Sequence, residues 1–423
     1  VIEQLLAVLF GMADSIMVAN VGEAAVSGVS LVDNIMILII NIFAALATGG
    51  AVVAGQYIGR KDEKSACKAA TQLVWFVSLS AVAIMILVYF GKDIILNQVF
   101  GHITAEVKGH ADIYLLIVTA SIPFIALYNG GAAIFRAMGN SQVSMRVSLL
   151  MNAINVTGNA ILVFGLRIGT AGVAIPTLIS RMVAAIVITV LLCNQTRILH
   201  IERTLKIRFD GRMIRKILAI GVPNGLENSM FQLGKILVLS LVSTFGTYAI
   251  AANAIALFQI LPGMAISLAI TTVISQCVGA NDYEQVHYYL KKLLAIIYVA
   301  MVGTVALIFL ALPLILKAYN LSDQTAAAAT NIIHFHGISA MIIWPLSFAL
   351  PAAYRAAGDA KACMYTSIVS MWIFRIGFSY LVGKYMGLGV FGVWVAMVID
   401  WVVRAICFII RYFNGKWKHG AIV

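Results

Sequence analysis

Four carboxylates stand inside long apolar stretches of the sequence, where an ionised side chain is costly. They are Asp14, Asp33, Glu227 and Asp400, and Glu3 lies at the boundary of such a stretch. An ionised group at the centre of a bilayer costs about 2.5–3.5 kcal/mol on the insertion scale, so each acid needs a partner, water or a function. A carboxylate in that setting can exchange a proton or, together with other oxygen atoms, bind a small cation.

Asp14 has a set of candidate oxygen ligands in a later helix. Asn152, Asn155 and Asn159 follow a three-four spacing, which places their side chains on one helix face. Their amide oxygens and the Asp14 carboxylate can together bind sodium, or the carboxylate alone can carry a proton. Two interpretations of Asp14 stay open: cation coupling, or a hydrogen bond that packs two helices. Asp33 is a further coupling candidate, with a structural role in a water network or a helix bend as its alternative.

Three charged residues near the C-terminus have the arrangement of a buried ion-pair cluster. Asp400 and Arg404 are four residues apart and share a helix face, and Arg375 lies at nearly the same depth across a short hairpin. Removing one partner from such a cluster typically costs about 3–5 kcal/mol. We predict that these three residues form a structural ion-pair cluster, with a relay role as the alternative.

The elements that must position these residues are membrane-spanning helices. The 423 residues are 62% hydrophobic and 11% charged, with a mean hydropathy of +0.98. Apolar runs of about 20 residues, the length that crosses a bilayer, recur along the whole chain. They lack the alternation of barrel strands, so we predict helices. The expected fold is an all-α integral membrane protein with twelve transmembrane helices, of which the fourth covers 111–137 and the tenth 326–356.

The net charge of +12 orients the chain in the membrane and does not indicate nucleic-acid binding. Of the 29 Lys and Arg residues, 20 fall in connections on one side of the predicted membrane and five on the other. This bias follows the positive-inside rule, so we expect the C-terminus in the cytoplasm. The expected location is the bacterial cytoplasmic membrane, with lipid but no nucleic acid as a partner.

Motifs of the first half return in the second half about 220 residues later, and they fall in turns rather than in apolar filler. The paired stretches are QYIGRKD (56–62) with QCVGAND (276–282), FRAMGN (135–140) with YRAAGD (354–359), and GTAGVA (169–174) with GVFGVW (389–394). Six spans per half give both halves the same orientation, related by a pseudo-twofold axis along the membrane normal. We predict an N-terminal six-helix lobe at 1–196, a cytoplasmic linker at 197–211 and a C-terminal six-helix lobe at 212–423.

These motifs, together with GMADSIMVANVG (11–22) and AINVTGNAILVFG (153–165), resemble the multidrug and toxic compound extrusion (MATE) family over essentially the whole chain. The resemblance implies two lobes around a central cavity and secondary active efflux of drugs or metabolites by rocker-switch alternating access. It places Asp14 on an acidic position of the family's first span. The chain departs from the family at Asn159 and Trp344, where branches of the family carry an aspartate, so the coupling ion stays open between H⁺ and Na⁺.

The repeat also aligns Glu3 with Glu227, each followed by an amide side chain at the start of its half's first span. The polar residues of the seventh span share one helix face, which favours water over lipid there: Asn224, Glu227, Asn228 and Lys235. We predict that the two glutamates face one another in a vestibule that attracts organic cations and releases them when a proton or sodium ion binds. In the alternative, Glu3 lies at the membrane interface and Glu227 pairs with Lys235.

A pocket that accepts varied ligands needs adaptable apolar side chains and a few polar ones. Our candidates for the substrate cavity are Phe10, Met12, Asn152, Asn224, Asn228, Met230, Phe231, Met264 and Trp344. The expected ligands are small organic substrates, and we expect a monomer.

Enzyme functions lack their motifs in this sequence. There is no Walker loop, HExxH or GxSxG motif, so we expect no catalysis and no cofactor beyond the coupling ion. The five cysteines are not spaced as metal ligands, and we expect no metal other than possible sodium. The alternative function is a flippase for lipid-linked saccharides, which is expected to have a cationic cavity for pyrophosphate. The acids of the first and seventh spans indicate the opposite polarity, unless Lys235, Arg181 and Arg375 line the cavity instead.

Overall fold

The computed structural model describes residues 1–101, 103–194, 196–201, 209–243, 247–318 and 322–419, and the regular structure in these ranges is helical. The α-helices are α1 (Ile2–Ala19), α2 (Glu23–Gly59), α3 (Glu63–Phe90), α4 (Lys92–Ile94), α5 (Ala105–Thr119), α6 (Ile122–Ala137), α7 (Ser141–Asn159), α8 (Ala171–Leu192), α9 (Gly211–Ser243), α10 (Thr247–Gly279), α11 (Tyr283–Ala318), α12 (Asp323–Ile342), α13 (Leu350–Ala356), α14 (Ala360–Ser370) and α15 (Gly389–Asn414). The π-helical segments are Ile95–Val99, Ala160–Gly165, Pro345–Ala349, Met371–Gly377 and Ser379–Tyr385, and a 3-10 helix covers Lys416–His419.

The helices have the length and composition of membrane spans. Within the described ranges, nine helices are long and apolar enough to cross a membrane, or eleven if each of two bent pairs counts as one span. The remaining long helix, α9, has 33 residues and is more polar because it carries Glu227 and Lys235. With α9 the count reaches the twelve predicted spans, and the prediction of an all-α integral membrane fold is confirmed.

Two of the predicted spans are bent helices. The fourth span consists of α5 and α6 at 49°, and the tenth consists of α12 and Pro345–Ala356 at 57°. Proline lies at the start of the second segment in both pairs, as Pro123 and Pro345. Because proline has no backbone N–H and its ring crowds the preceding turn, it interrupts the helical hydrogen bonds and allows the change of direction.

The repeated motifs adopt the same backbone conformation in both halves. Lys61 and Asn281 have positive φ angles of 62° and 56°, and Gly139 and Gly358 have φ angles of 80° and 95°. A left-handed residue after a helix lets the last carbonyl groups find hydrogen-bond partners. The internal repeat therefore extends from the sequence to the turn geometry.

The chain forms two compact units, which we call the N-unit (Ile2–Gly225) and the C-unit (Leu226–Val423). Fully buried residues of the N-unit core include Phe43, Leu73, Ile122, Phe135 and Ile188, and those of the C-unit core include Ile270, Met301, Tyr354, Phe408 and Trp417. The predicted linker at 197–211 lies partly outside the described residues. The first part of α9 packs within the N-unit, where Gly49 approaches Gly221 so closely that a side chain would clash. The lobe boundary at residue 212 stays a prediction.

Candidate functional site

Asp14 on α1 contacts Asn159 at the end of α7. The Asn159 side-chain amide nitrogen donates a hydrogen bond to the Asp14 carboxylate, and Asn159 is fully buried. The amide oxygen of Asn159 is also buried, and no described atom donates a hydrogen bond to it. Directly after Asn159 the helix continues as the π-helical segment Ala160–Gly165, a distortion often found at functional sites. The geometry places a carboxylate beside an acceptor oxygen that has no partner in the protein.

A second acid joins this region of the N-unit. The Tyr114 hydroxyl on α5 donates a hydrogen bond to Asp33 on α2 at 2.9 Å. Arg181 on α8 donates to the Ser121 hydroxyl at 2.8 Å and lies close enough to interact electrostatically with both Asp14 and Asp33. We call Asp14, Asp33, Tyr114, Asn159 and Arg181 the N-unit acidic cluster. Sequence analysis did not find Tyr114 and did not connect Arg181 with the two acids, because neither residue shares a motif with them.

The other two asparagines of the α7 stripe have different partners. Asn155 accepts a hydrogen bond from the Thr177 hydroxyl at 3.4 Å, and Asn152 donates to the Ser148 hydroxyl at 3.5 Å. Among the three asparagines, the structure therefore brings Asn159 to Asp14. Within the described residues, no three His, Cys, Asp or Glu side chains lie together as metal ligands. A sodium ion here would therefore need amide and hydroxyl oxygens in addition to the Asp14 carboxylate.

Glu3 lies in a polar contact at the other end of α1. Its carboxylate accepts hydrogen bonds from the Ser144 hydroxyl at 3.2 Å and the Tyr128 hydroxyl at 3.4 Å. Arg136 lies 4.0 Å from the same carboxylate. The contact links α1 to α6 and α7 within the N-unit.

Glu227 on α9 forms an ion pair with Arg355 at 3.3 Å within the C-unit. The alternative in which Glu227 pairs with Lys235 is therefore wrong, because Arg355 of α13 pairs with the Glu227 carboxylate instead. Arg136 and Arg355 are equivalent in the FRAMGN and YRAAGD motifs. Each half thus holds a glutamate near the arginine of its repeated motif. Sequence analysis assigned these motifs to turns and missed the arginines, although their recurrence was a usable signal.

The C-unit contains a second charged group around Asp400. Asp400 accepts hydrogen bonds from the Arg404 Nε atom at 3.0 Å and from the Ser370 hydroxyl, and both charged side chains are buried. Arg375, which we predicted in the same ion-pair cluster, interacts electrostatically with Asp400 but places its guanidinium over the Phe231 ring at 5.3 Å. Lys235 lies over the same ring at 5.0 Å. We call Phe231, Lys235, Arg375, Asp400 and Arg404 the C-unit basic cluster.

The predicted cavity residues differ in exposure. Met12 and Met264 are exposed at 49% and 44%, and Asn224 is buried. The partly exposed members are Phe10, Asn152, Asn228, Met230 and Phe231. Trp344 is buried in the C-unit core, where it stacks on Phe348 at 5.5 Å and fills the space beside Gly263. Its place in the core indicates packing rather than contact with a ligand.

Comparison with known proteins identifies the family. The MatE family model matches residues 1–161 and 223–381. The chain is 28% identical to the uncharacterized transporter YisQ of Bacillus subtilis strain 168, over 98% of this chain and 92% of YisQ. It is 23% identical to the probable multidrug resistance protein NorM of Thermotoga maritima, over 100% of this chain and 91% of that protein. A crystal structure of MATE in complex with MaL6 superposes with a TM-score of 0.91 at 22% identity, covering 99% of this chain and 94% of that one. The chain therefore belongs to the MATE family, whose members are transporters and not enzymes.

Proposed function

We propose that this protein exports organic, often cationic, molecules by antiport with H⁺ or Na⁺. The observation that carries the proposal is the contact between Asp14 and Asn159 inside the membrane-spanning part of the N-unit. An acid at this depth is unfavourable unless it binds a cation, a proton or a hydrogen-bond donor. Asp14 has one donor, and the neighbouring Asn159 oxygen has no described donor. This arrangement favours reversible occupation by a small cation.

The two candidate ions make different demands on the site. A proton needs the Asp14 carboxylate alone, whereas sodium needs several oxygen ligands at short range. The Asn159 side chain contacts Asp14, and the Asn155 amide oxygen is a further predicted ligand on α7. Binding of either ion neutralises the Asp14 carboxylate. This removes its electrostatic repulsion with Asp33 and its attraction to Arg181, so the ion-bound and ion-free states differ in energy.

The organic substrate is proposed to bind through the second set of acids. Glu227 lies midway along α9 and Glu3 lies near the start of α1, and each carboxyl group is next to an arginine of its own half. An organic cation can compete with that arginine for the carboxylate. Rocker-switch alternating access, a monomeric state, a cytoplasmic C-terminus and the absence of nucleic-acid binding belong to the same proposal. The similarity to the probable multidrug resistance protein NorM of Thermotoga maritima supports efflux, and the flippase alternative is not favoured.

The proposal is tested with the purified full chain in liposomes and the organic cation ethidium as probe. We expect uphill ethidium movement under an imposed proton gradient or an imposed sodium gradient, and one of the two gradients identifies the coupling ion. Asp14→Asn is expected to abolish this movement, while Glu23→Gln, an exposed acid at the start of α2, serves as the matched control. Ethidium movement that ignores both gradients would contradict the proposal.

A further inference from the structure

We propose that the C-unit contains a binding site for the anionic group of an amphipathic substrate, formed by Lys235, Arg375 and Phe231. The inference rests on the proposed export function and adds a substrate class to it. The ligands are molecules that join an apolar body to a carboxylate, sulfonate or phosphate group.

Three cations surround one aromatic ring at this site. The Lys235 ammonium and the Arg375 guanidinium lie 5.0 Å and 5.3 Å from the centroid of the Phe231 ring, and the Arg404 guanidinium lies 5.6 Å from it. Among the described residues, the one carboxylate paired with any of these cations is Asp400, which pairs with Arg404 at 3.0 Å. The C-unit basic cluster therefore carries three positive charges and one negative charge.

Buried polar atoms without partners lie on both sides of the hydrogen-bond balance in the cluster. The Asp400 Oδ2 atom is an acceptor without a described donor, and the ion pair of Asp400 is with Arg404 rather than with Arg375. The Nη1 atom of Arg375 is buried, and no described atom accepts a hydrogen bond from it. The hydroxyl of Ser367, whose carbonyl accepts from Arg404 at 3.1 Å, is also buried without a described partner. A buried donor without an acceptor is unfavourable, and so is the repulsion of like charges in a medium of low dielectric. An anion that accepts from Arg375 and Lys235 removes both costs.

The site has a closed side and an open side. Arg404 and Asp400 are buried, Phe231 is partly exposed, and Lys235 is exposed. A ligand therefore approaches past Lys235 and Phe231, with the Asp400–Arg404 pair behind it. This pair holds the Arg404 charge in place, so Arg404 supports the site without being its point of entry.

The aromatic surface beside the cations accounts for the apolar part of the ligand. Phe231 meets Phe348 edge to face at 6.0 Å, and the Arg404 guanidinium lies 4.8 Å from the Phe348 ring. An aromatic or aliphatic body can pack on the Phe231 ring while its anionic end reaches Arg375. Guanidinium and ammonium groups form strong, charge-assisted hydrogen bonds with carboxylates, sulfonates and phosphates.

The test uses two probes with one ring system and opposite charges, naphthoate and naphthylmethylammonium. Their binding to the full chain in phosphatidylcholine nanodiscs is measured with radiolabelled probe. We expect naphthoate to bind the wild type, and Lys235→Gln and Arg375→Gln each to weaken that binding at least ~10-fold, as loss of one charge-assisted hydrogen bond does. Lys235→Glu is expected to shift the preference to naphthylmethylammonium. Lys384→Gln changes an exposed lysine of Ser379–Tyr385 and is the matched control.

Naphthoate binding is compared only among variants that are shown to be folded. Gel filtration and thermal unfolding accompany each variant, and the exposed Lys235 gives a readout even if Arg375→Gln does not fold. A wild type that binds no more naphthoate than empty nanodiscs overturns the proposal. So does a Lys235→Gln variant that binds naphthoate as tightly as the wild type.

A lipid head group and a free substrate can present the same anionic chemistry, and the lipid composition separates them. If a lipid phosphate occupies the site, phosphatidylglycerol in the nanodisc competes with naphthoate in the wild type and not in Lys235→Gln. If the site selects free substrates, naphthoate binding is the same in both lipids. Either result, with the charge variants behaving as expected, supports the site.

Failure of this inference is distinct from failure of the export function. Naphthoate binding needs no ion gradient, whereas ethidium export does. Normal gradient-driven ethidium export by a protein that binds no naphthoate rejects the anion site alone. Naphthoate binding by a protein that moves ethidium under neither gradient rejects the export function.

Discussion

The N-unit acidic cluster and the C-unit basic cluster use opposite chemistry inside the same type of fold. In the N-unit, two carboxylates share one guanidinium and contact an amide and a phenol. In the C-unit, three cations surround a phenyl ring, and one of them, Arg404, pairs with the carboxylate of Asp400. Both units nevertheless keep a glutamate next to the arginine of a repeated motif, at 4.0 Å and 3.3 Å.

This difference indicates what the duplicated halves had to keep and what they were able to change. The turns need a left-handed backbone to end their helices, so their sequence pattern recurs. Side chains in the middle of the helices need only some partner, and that partner can be an acid, a base or a ring. We infer that the acidic cluster serves the coupling cation and the basic cluster serves stability and anion binding.

The largest expected effect is on folding in the C-unit. Asp400→Asn leaves the buried Arg404 without its counter-charge, and we expect the free energy of unfolding to fall by about 3–5 kcal/mol. Thermal and denaturant unfolding in detergent measure it. Asp323→Asn, at an exposed helix start in the same unit, is the control and should cost less than about 1 kcal/mol. If both variants lost the same small amount of unfolding free energy, the structural role proposed for Asp400 would be wrong.

The next effect separates stability from transport in the N-unit. Asp14→Asn keeps a side chain that can accept a hydrogen bond from Asn159, so the unfolding midpoint should change little. Coupling should fall by ~100-fold, within the range of 5–150-fold for coupling between sites. The ratio of ethidium accumulated with and without the ion gradient measures it. If Asp14→Asn lost stability as Asp400→Asn does while coupling survived, the contrast between the clusters would be wrong.

Substituting Glu227 or Glu3 should lower ethidium efflux by a smaller factor than substituting Asp14 lowers coupling. Glu227 is closer to its arginine than Glu3 is, and its side chain is 11% exposed against 18%. We expect Glu227→Gln to lower ethidium efflux by about 10-fold, which corresponds to ~1.4 kcal/mol, and Glu3→Gln to lower it less. Initial efflux rates compare the two, with the exposed Glu284→Gln as control. Unchanged efflux in both variants would remove the proposed role of these acids in substrate binding.

The smallest effect is expected at a surface pair outside the spans. Lys68 lies 2.5 Å from Asp210, and its hydrogen bond lowers the pKa of the Asp210 carboxyl below the ordinary 3.8. A lowered pKa in the folded state stabilises the fold above the ordinary value, and this contribution is lost as the pH falls through the folded-state pKa. Lys68→Met should therefore lower the unfolding midpoint slightly at neutral pH and low salt. A difference that persists in strong acid or high salt would contradict this assignment.

Much of the architecture follows from the sequence because lipid imposes simple rules. Apolar length gives the spans, and the recurrence of QYIGRKD as QCVGAND identified a duplication that the backbone angles of Lys61 and Asn281 repeat. The bend at Pro345 has a visible cause in the sequence, although its angle of 57° depends on how the neighbouring helices pack.

Side-chain partners were harder to predict. Asp14 and Asn159 are far apart in sequence, and helix spacing indicated the face of Asn159 but not that Asn155 would turn to Thr177 instead. Long cationic side chains reach several neighbours. Helix periodicity offered Lys235 as the alternative partner of Glu227, whereas tertiary packing supplies Arg355. Such choices depend on the packing of neighbouring helices, which a single sequence does not specify.

Antiport of a coupling ion and an organic cation is tested most directly in the reverse direction, with the gradient of the organic cation driving the movement of the ion. An outward ethidium gradient is imposed on proteoliposomes that have no ion gradient, and the inward movement of protons or radioactive sodium is recorded. We predict that ethidium drives one of these ions uphill in the wild type and neither of them in Asp14→Asn. Ethidium flux without movement of either ion, or equal ion movement in Asp14→Asn, would contradict antiport through Asp14.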